Sequence, residues 1–176
     1  MPAGIPKHLT WAAQGIAKMS SYNLEKSLWS DSDVGAMGWH DASIWAMVSN
    51  AENFEYLFDL DYIFQWVDPE EDETYFKFWV APVTMVFENA INVKIDIESQ
   101  QGLIEVADLH IENPELTPNK KFTSHNYRFE CQEGQITLKS TGFKMYVRQQ
   151  PKLLQGQSLT LDERGGVDFG RELEVG

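Results

Sequence analysis

Apolar and polar residues alternate most regularly over residues 54–67. There Phe58, Leu60, Tyr62, Phe64 and Trp66 fall on one side of an extended chain, and Leu57, Asp59, Asp61, Ile63 and Gln65 on the other. This period of two predicts a strand with its aromatic side turned to a core. A helix would set the two aspartates about 200° apart and leave no apolar stripe. The whole stretch from Trp39 to Val93 is written in the same residues, aromatic and β-branched with acids between them, and it holds four of the six tryptophans. It predicts consecutive antiparallel strands at residues 43–48, 54–67 and 75–87, the last interrupted by Pro82, which demands an edge position or a bulge. Further strands follow from the alternation of Val93, Ile95 and Ile97 with Lys94, Asp96 and Glu98, and from residues 103–111, 124–132 and 135–148. The last two join through a Glu133–Gly134 turn, and Gly142 marks a bulge. A short strand is predicted at residues 158–161.

About eight strands at hairpin spacing, with no helical segments alternating between them, predict a mainly β fold: an antiparallel sandwich or a partly closed barrel. Ahead of it, Thr10 is placed to cap a helix, or two shorter ones, running to about Leu28, and the run SDSDVGAMG reads as a linker. The expected organisation is an arm and helical extension over residues 1–37, a candidate oligomerisation element, followed by one β domain over residues 38–176.

Charge narrows the partners. Fourteen Lys and Arg against 27 Asp and Glu give a formal charge of −13, which repels phosphate backbones and anionic bilayers and favours a basic protein partner over nucleic acid or membrane. No run approaches the 18–20 apolar residues of a membrane span, and the first residues lack a leader's apolar core. The lone Cys131 sits in a strand-like run and reads as a packed thiol. A cytoplasmic location is expected.

The candidate site residues are Trp39, His40, Asp41, Asp59, Asp61, Trp66 and Trp79. His40 and Asp41 are neighbours that suit a base and its orienter, yet His8, His110 and His125 lie on unrelated elements without ligand spacing, so a hydrogen-bonding role is expected. Asp59 and Asp61, two apart on a strand, share one face about 7 Å apart, a separation that suits two-carboxylate chemistry or a hard cation. If that face is buried, they need Arg, Lys or backbone partners, and candidates such as Lys77, Arg128 and Arg148 occur on other strands. The aromatic set Trp39, Trp45, Trp66, Trp79, Tyr62 and Phe78 fills a core or lines a pocket, with indole N–H groups that require acceptors. The ERGG run at residues 163–166 reads as a turn, lacking the strand and helix that would make it a phosphate cradle. No catalytic set, metal site or cofactor is assigned.

The ordered set WHDASIWAM, FDLDYIFQW, FWVAPVTMVFENA, GFKMYVRQQPKLLQGQSL and ERGGVDF resembles a family of bacterial proteins of unknown function and similar length, over about residues 38–169. The element His40-Asp41-Ala42-Ser43-Ile44, followed by amphipathic strands, is similar to small immunity proteins that bind toxins as stoichiometric inhibitors. That resemblance implies no catalytic residues. The expectation is a non-enzymatic protein-binding module; the alternatives are a metal-assisted hydrolase using Asp59, Asp61 and His40, and a β-barrel that binds a small ligand.

Overall fold

In the computed structural model, which describes residues 21–174, the chain forms ten strands and two short 3₁₀ turns. The strands are β1 (Leu28–Ser30), β2 (Ala42–Asn50), β3 (Glu55–Val67), β4 (Lys77–Glu88), β5 (Ile91–Ile97), β6 (Ile104–Leu116), β7 (Thr123–Cys131), β8 (Gly134–Ser140), β9 (Gly142–Val147) and β10 (Lys152–Leu154). All pair antiparallel in one sheet of order β1-β9-β4-β3-β2-β6-β7-β8-β5, with β10 added to β4. The sheet is open, with β1 and β5 at its ends. It is therefore neither a closed barrel nor two separate sheets, although it curls so that its two arms share a core.

The curl follows from two local features. Between the arms, β2 and β6 pair over only Ala42–Ile44 and Ile104–Val106 before diverging. At the other end, residues 135–148 do not run as one strand. The chain breaks at Thr141 and passes from β8 in one arm to β9 in the other. Ser140 Oγ holds this corner by bonding the Glu88 carbonyl at 2.6 Å and the Gly142 carbonyl at 2.7 Å. Aromatic rings then meet across the interior. Phe58 of β3 lies 4.9 Å from Phe129 of β7, Phe87 of β4 lies 5.0 Å from Tyr127, and Trp39 stands edge-on to Phe129 and Phe143. Burial in this core pushes the Cys131 thiol up to about 12, the unreactive state of a packed cysteine.

Pro82 sits inside a central strand at the one place where its missing N–H costs nothing. The Pro82 carbonyl accepts from Arg148 N at 3.0 Å, so its nitrogen faces the same side, where β9 leaves β4 and before β10 joins it.

The helix expected to run to Leu28 is not formed in its described part. Residues 21–27 are non-helical and Leu28–Ser30 pairs with β9. The competing interactions are tertiary: Trp29 bonds the Lys26 carbonyl at 3.0 Å and packs on Phe64. The helix start at Thr10 lies outside the described residues. The SDSDVGAMG run contains a 3₁₀ turn at Asp31–Ala36, and its Val34 and Met37 pack on the core. The strand expected at residues 158–161 is absent. Its place as the last strand is taken by β10, and residues 155–174 cross the outer face of β3 and β4 instead.

Candidate functional site

On β3 the alternation puts Phe58, Leu60 and Tyr62 in the core and Leu57, Asp59, Asp61 and Ile63 on the opposite, outer face. That outer face is not open to solvent. Leu159 of the tail covers Ile63, Phe78 and Val80 to form a second small apolar cluster, and beside it Asp59 and Asp61 are 0% exposed.

Burying two carboxylates is tolerable only with near-complete pairing, and both are saturated. Asp59 Oδ1 accepts from Arg148 Nη2 and Arg164 Nη2, each at 2.6 Å, while its Oδ2 accepts from Arg164 Nη1 at 2.8 Å and from the Asp168 backbone N–H at 3.0 Å. Asp61 Oδ1 accepts from Arg164 Nε at 3.2 Å, and its Oδ2 from the Trp45 indole at 2.8 Å and the Leu159 N–H at 2.9 Å. Arg148 also donates to Thr84 Oγ1 at 2.8 Å and to the Asp168 carbonyl. Desolvation pulls the Arg164 pKa down, but its hydrogen bond to Asp59 and the two carboxylate charges outweigh this and hold it above the usual arginine value. The guanidinium is thus a permanent charge, stacked 4.5 Å from the centre of the Trp45 ring.

Local sequence explains how these groups converge. Trp45 is the extra residue of a bulge in β2, which turns its indole toward Asp61. Thr160 donates through both its N–H and its hydroxyl to Glu163 at 2.8 Å, making a tight loop that presents Arg164 inward. Gly165 and Gly166 follow at φ of 75° and 87°, left-handed values that glycine adopts without strain. Of the expected cations, Arg148 reaches Asp59, whereas Lys77 pairs with Glu73 at 2.5 Å and Arg128 with Glu112 at 3.4 Å. Arg164, Leu159 and Asp168 were not anticipated. With every carboxylate oxygen accepting from protein donors, the pair is arranged as an anchor for the tail rather than as an open cation site. Among the described residues, no group of three or more His, Cys, Asp or Glu is placed to hold a metal ion.

The remaining candidates separate. Trp39 is buried against Tyr62, and its indole N–H has no acceptor among the described residues. Asp41 adopts a left-handed φ of 65°, is nearly buried, and accepts from the Gln157 side chain at 2.6 Å, a second tether for the tail. His40 faces Asp41 at 3.5 Å and stacks on Trp66 at 5.9 Å, and it is not among the groups around Asp59 and Asp61. Trp79 is half-buried against Tyr22. Trp66 does not continue the core face. A bulge at Phe64 shifts the register, so Trp66 lies over Phe78 on the outer side and is 41% exposed.

One surface combines exposed rings with dense charge. At the tip of the β3–β4 hairpin, Trp66, Tyr75 (80% exposed) and Phe76 (43% exposed) adjoin Asp68, Glu70, Glu71, Asp72 and Glu73. A groove of about 200 Å³ runs there between Glu73, Thr74, Tyr75, Phe76, Lys77 and Gln155. No described helix is long and apolar enough to cross a membrane. Comparison with protein-family models, with curated proteins and with solved structures finds no match to this chain.

Proposed function

We propose that the protein is a non-enzymatic binding module whose β3–β4 hairpin tip receives a basic segment of a protein partner. The observation that carries this reading is Tyr75 and Phe76, held in the open beside Trp66 and within a loop of five acids, of which, among the described residues, Glu73 alone is ion-paired, to Lys77. Large exposed rings cost solvation unless a partner covers them, and rings flanked by carboxylates suit Lys and Arg side chains, whose charge meets the acids while their stems lie on the rings. Stoichiometric inhibition of a basic toxin is one form such a function takes.

The test is retention of a basic protein from host lysate on the immobilised chain, with salt-stepped elution. Wild type should release the partner at moderate salt. Glu70, Glu71 and Asp72 changed together to Lys should weaken retention by roughly tenfold or more and flatten its salt dependence. Tyr75→Ala should weaken retention by about tenfold with the salt dependence kept. Unchanged retention by both variants places the binding surface elsewhere.

A further inference from the structure

We infer that two copies of this chain pair antiparallel through the free edge of β5, with Ile95 on the two-fold axis. Among the described residues no strand pairs with the outer side of β5, which ends the sheet beyond β8.

The direction of its backbone groups follows from the pairing that exists. The Glu98 N–H bonds the Glu133 carbonyl at 2.9 Å, and the Asp96 carbonyl lies so close to Gly134 that a Cβ there would sit 2.1 Å from it. Even-numbered residues therefore direct their backbone groups at β8. By the alternation of a strand, Val93, Ile95 and Ile97 direct theirs outward. An antiparallel twin centred on Ile95 places Ile95 opposite Ile95, and Val93 opposite Ile97, as hydrogen-bonded pairs. Lys94 then falls opposite Asp96 as the closer, non-hydrogen-bonded pair.

Three separate features agree with that one register. The backbone donors and acceptors are in phase. The charges are self-complementary, since each Lys94 meets the other copy's Asp96 on both sides of the axis; the two side chains are 70% and 66% exposed and within one chain make only a loose 3.8 Å contact with each other, which the two pairs across the axis can replace. The apolar side is incomplete without a second copy: Val93 and Ile97 pack partly on the core, while Ile95 between them is 48% exposed. A shift of one residue would lose both the hydrogen-bond phase and the charge match. The bulge at Asn92, with φ of 55°, ends the pairable edge and confines the contact to Val93 through Ile97. Because the contact is isologous, it closes as a dimer rather than extending as a fibre.

The experiment is sedimentation velocity of the full chain over a concentration series at physiological salt. Wild type should move from one chain's mass toward two as concentration rises. Ile95→Pro removes an outward N–H and the apolar side chain at the axis without breaking a bond to β8, so it should keep the wild-type circular dichroism yet stay at one chain's mass. Lys94→Asp sets like charges opposite each other and should weaken dimerisation by roughly tenfold. Adding Asp96→Lys to that variant restores the complementary pairs and should recover the wild-type series. A wild type that remains one chain at every concentration overturns the inference. So does a dimer indifferent to Ile95→Pro and to the charge exchange, which would place self-association in another part of the chain.

Discussion

Replacing Arg164 by Met should cost about 3–5 kcal/mol of folding stability, a large share of the roughly 5–15 kcal/mol that holds a domain of this size together. The residue is 2% exposed and, among the described residues, is the only cation paired with Asp61. Without it, Asp61 keeps the Trp45 indole and the Leu159 N–H but remains a buried charge with no counter-ion, and Asp59 falls back on Arg148 and the Asp168 N–H. The loss belongs to the buried carboxylate left unpaired rather than to the pair itself, so it should shrink once that charge is removed. In an Asp61→Asn background the same Arg164→Met change should cost less, with a coupling of about 1–3 kcal/mol between the two sites. Chemical denaturation followed by circular dichroism measures both values, and limited proteolysis should show cleavage within residues 155–174 in the single variant. Additive losses, or an unchanged midpoint with an intact tail, would mean that the arginine does not anchor it.

Phe129→Ala should be of comparable severity, about 3–5 kcal/mol. Its ring is fully buried on β7 and touches Trp39, Phe58 and Phe87 from the opposite arm of the sheet. Those neighbours belong to a hydrogen-bonded framework and cannot all collapse into the space left, so the cavity term adds to the lost transfer energy. The effect should appear as a lower denaturant midpoint with an unchanged slope. A change below 1 kcal/mol would contradict a core shared between the arms. A truncation on the outer surface of β6, away from that core, should stay near 0.5 kcal/mol or less.

How much of this was readable beforehand depends on the range of each interaction. The period-two run in β3 announces a strand and puts Asp59 and Asp61 on one face, because side-chain alternation is set by the strand's own backbone. It also announces that the aspartates need Arg, Lys or backbone partners if buried, which makes Arg148 one candidate beside Lys77 and Arg128 without choosing among them. Arg164 does not. Its bond to Asp61 spans 103 residues, and the local ERGG sequence signals only a turn. The bulges at Trp45 and Phe64 were equally hidden, since nothing in an aromatic alternation marks where one extra residue enters the ladder. That single residue is why Trp66, placed in the core by the pattern, sits outside with His40. Residues 135–148 keep an unbroken strand pattern even though Thr141 divides them between two arms, because both halves face the same core. The helix expected to run to about Leu28 gives way at that end, where Leu28 pairs with Tyr146 in the sheet. Its local preference yields to a strand partner over 100 residues away.

The Asp59–Asp61 pair, buried and saturated by protein donors, anchors the tail to the outer face of the sheet. Backbone hydrogen exchange at Leu159 and Asp168 tests it most directly, because those two N–H groups donate to the carboxylates themselves. The account predicts protection at both amides close to that of β3 and β4 amides, lost only with global unfolding. Exchange at the rate of the acidic loop at residues 68–73 would show that the tail is not locked, that the aspartates open to solvent, and that the anchor reading is wrong.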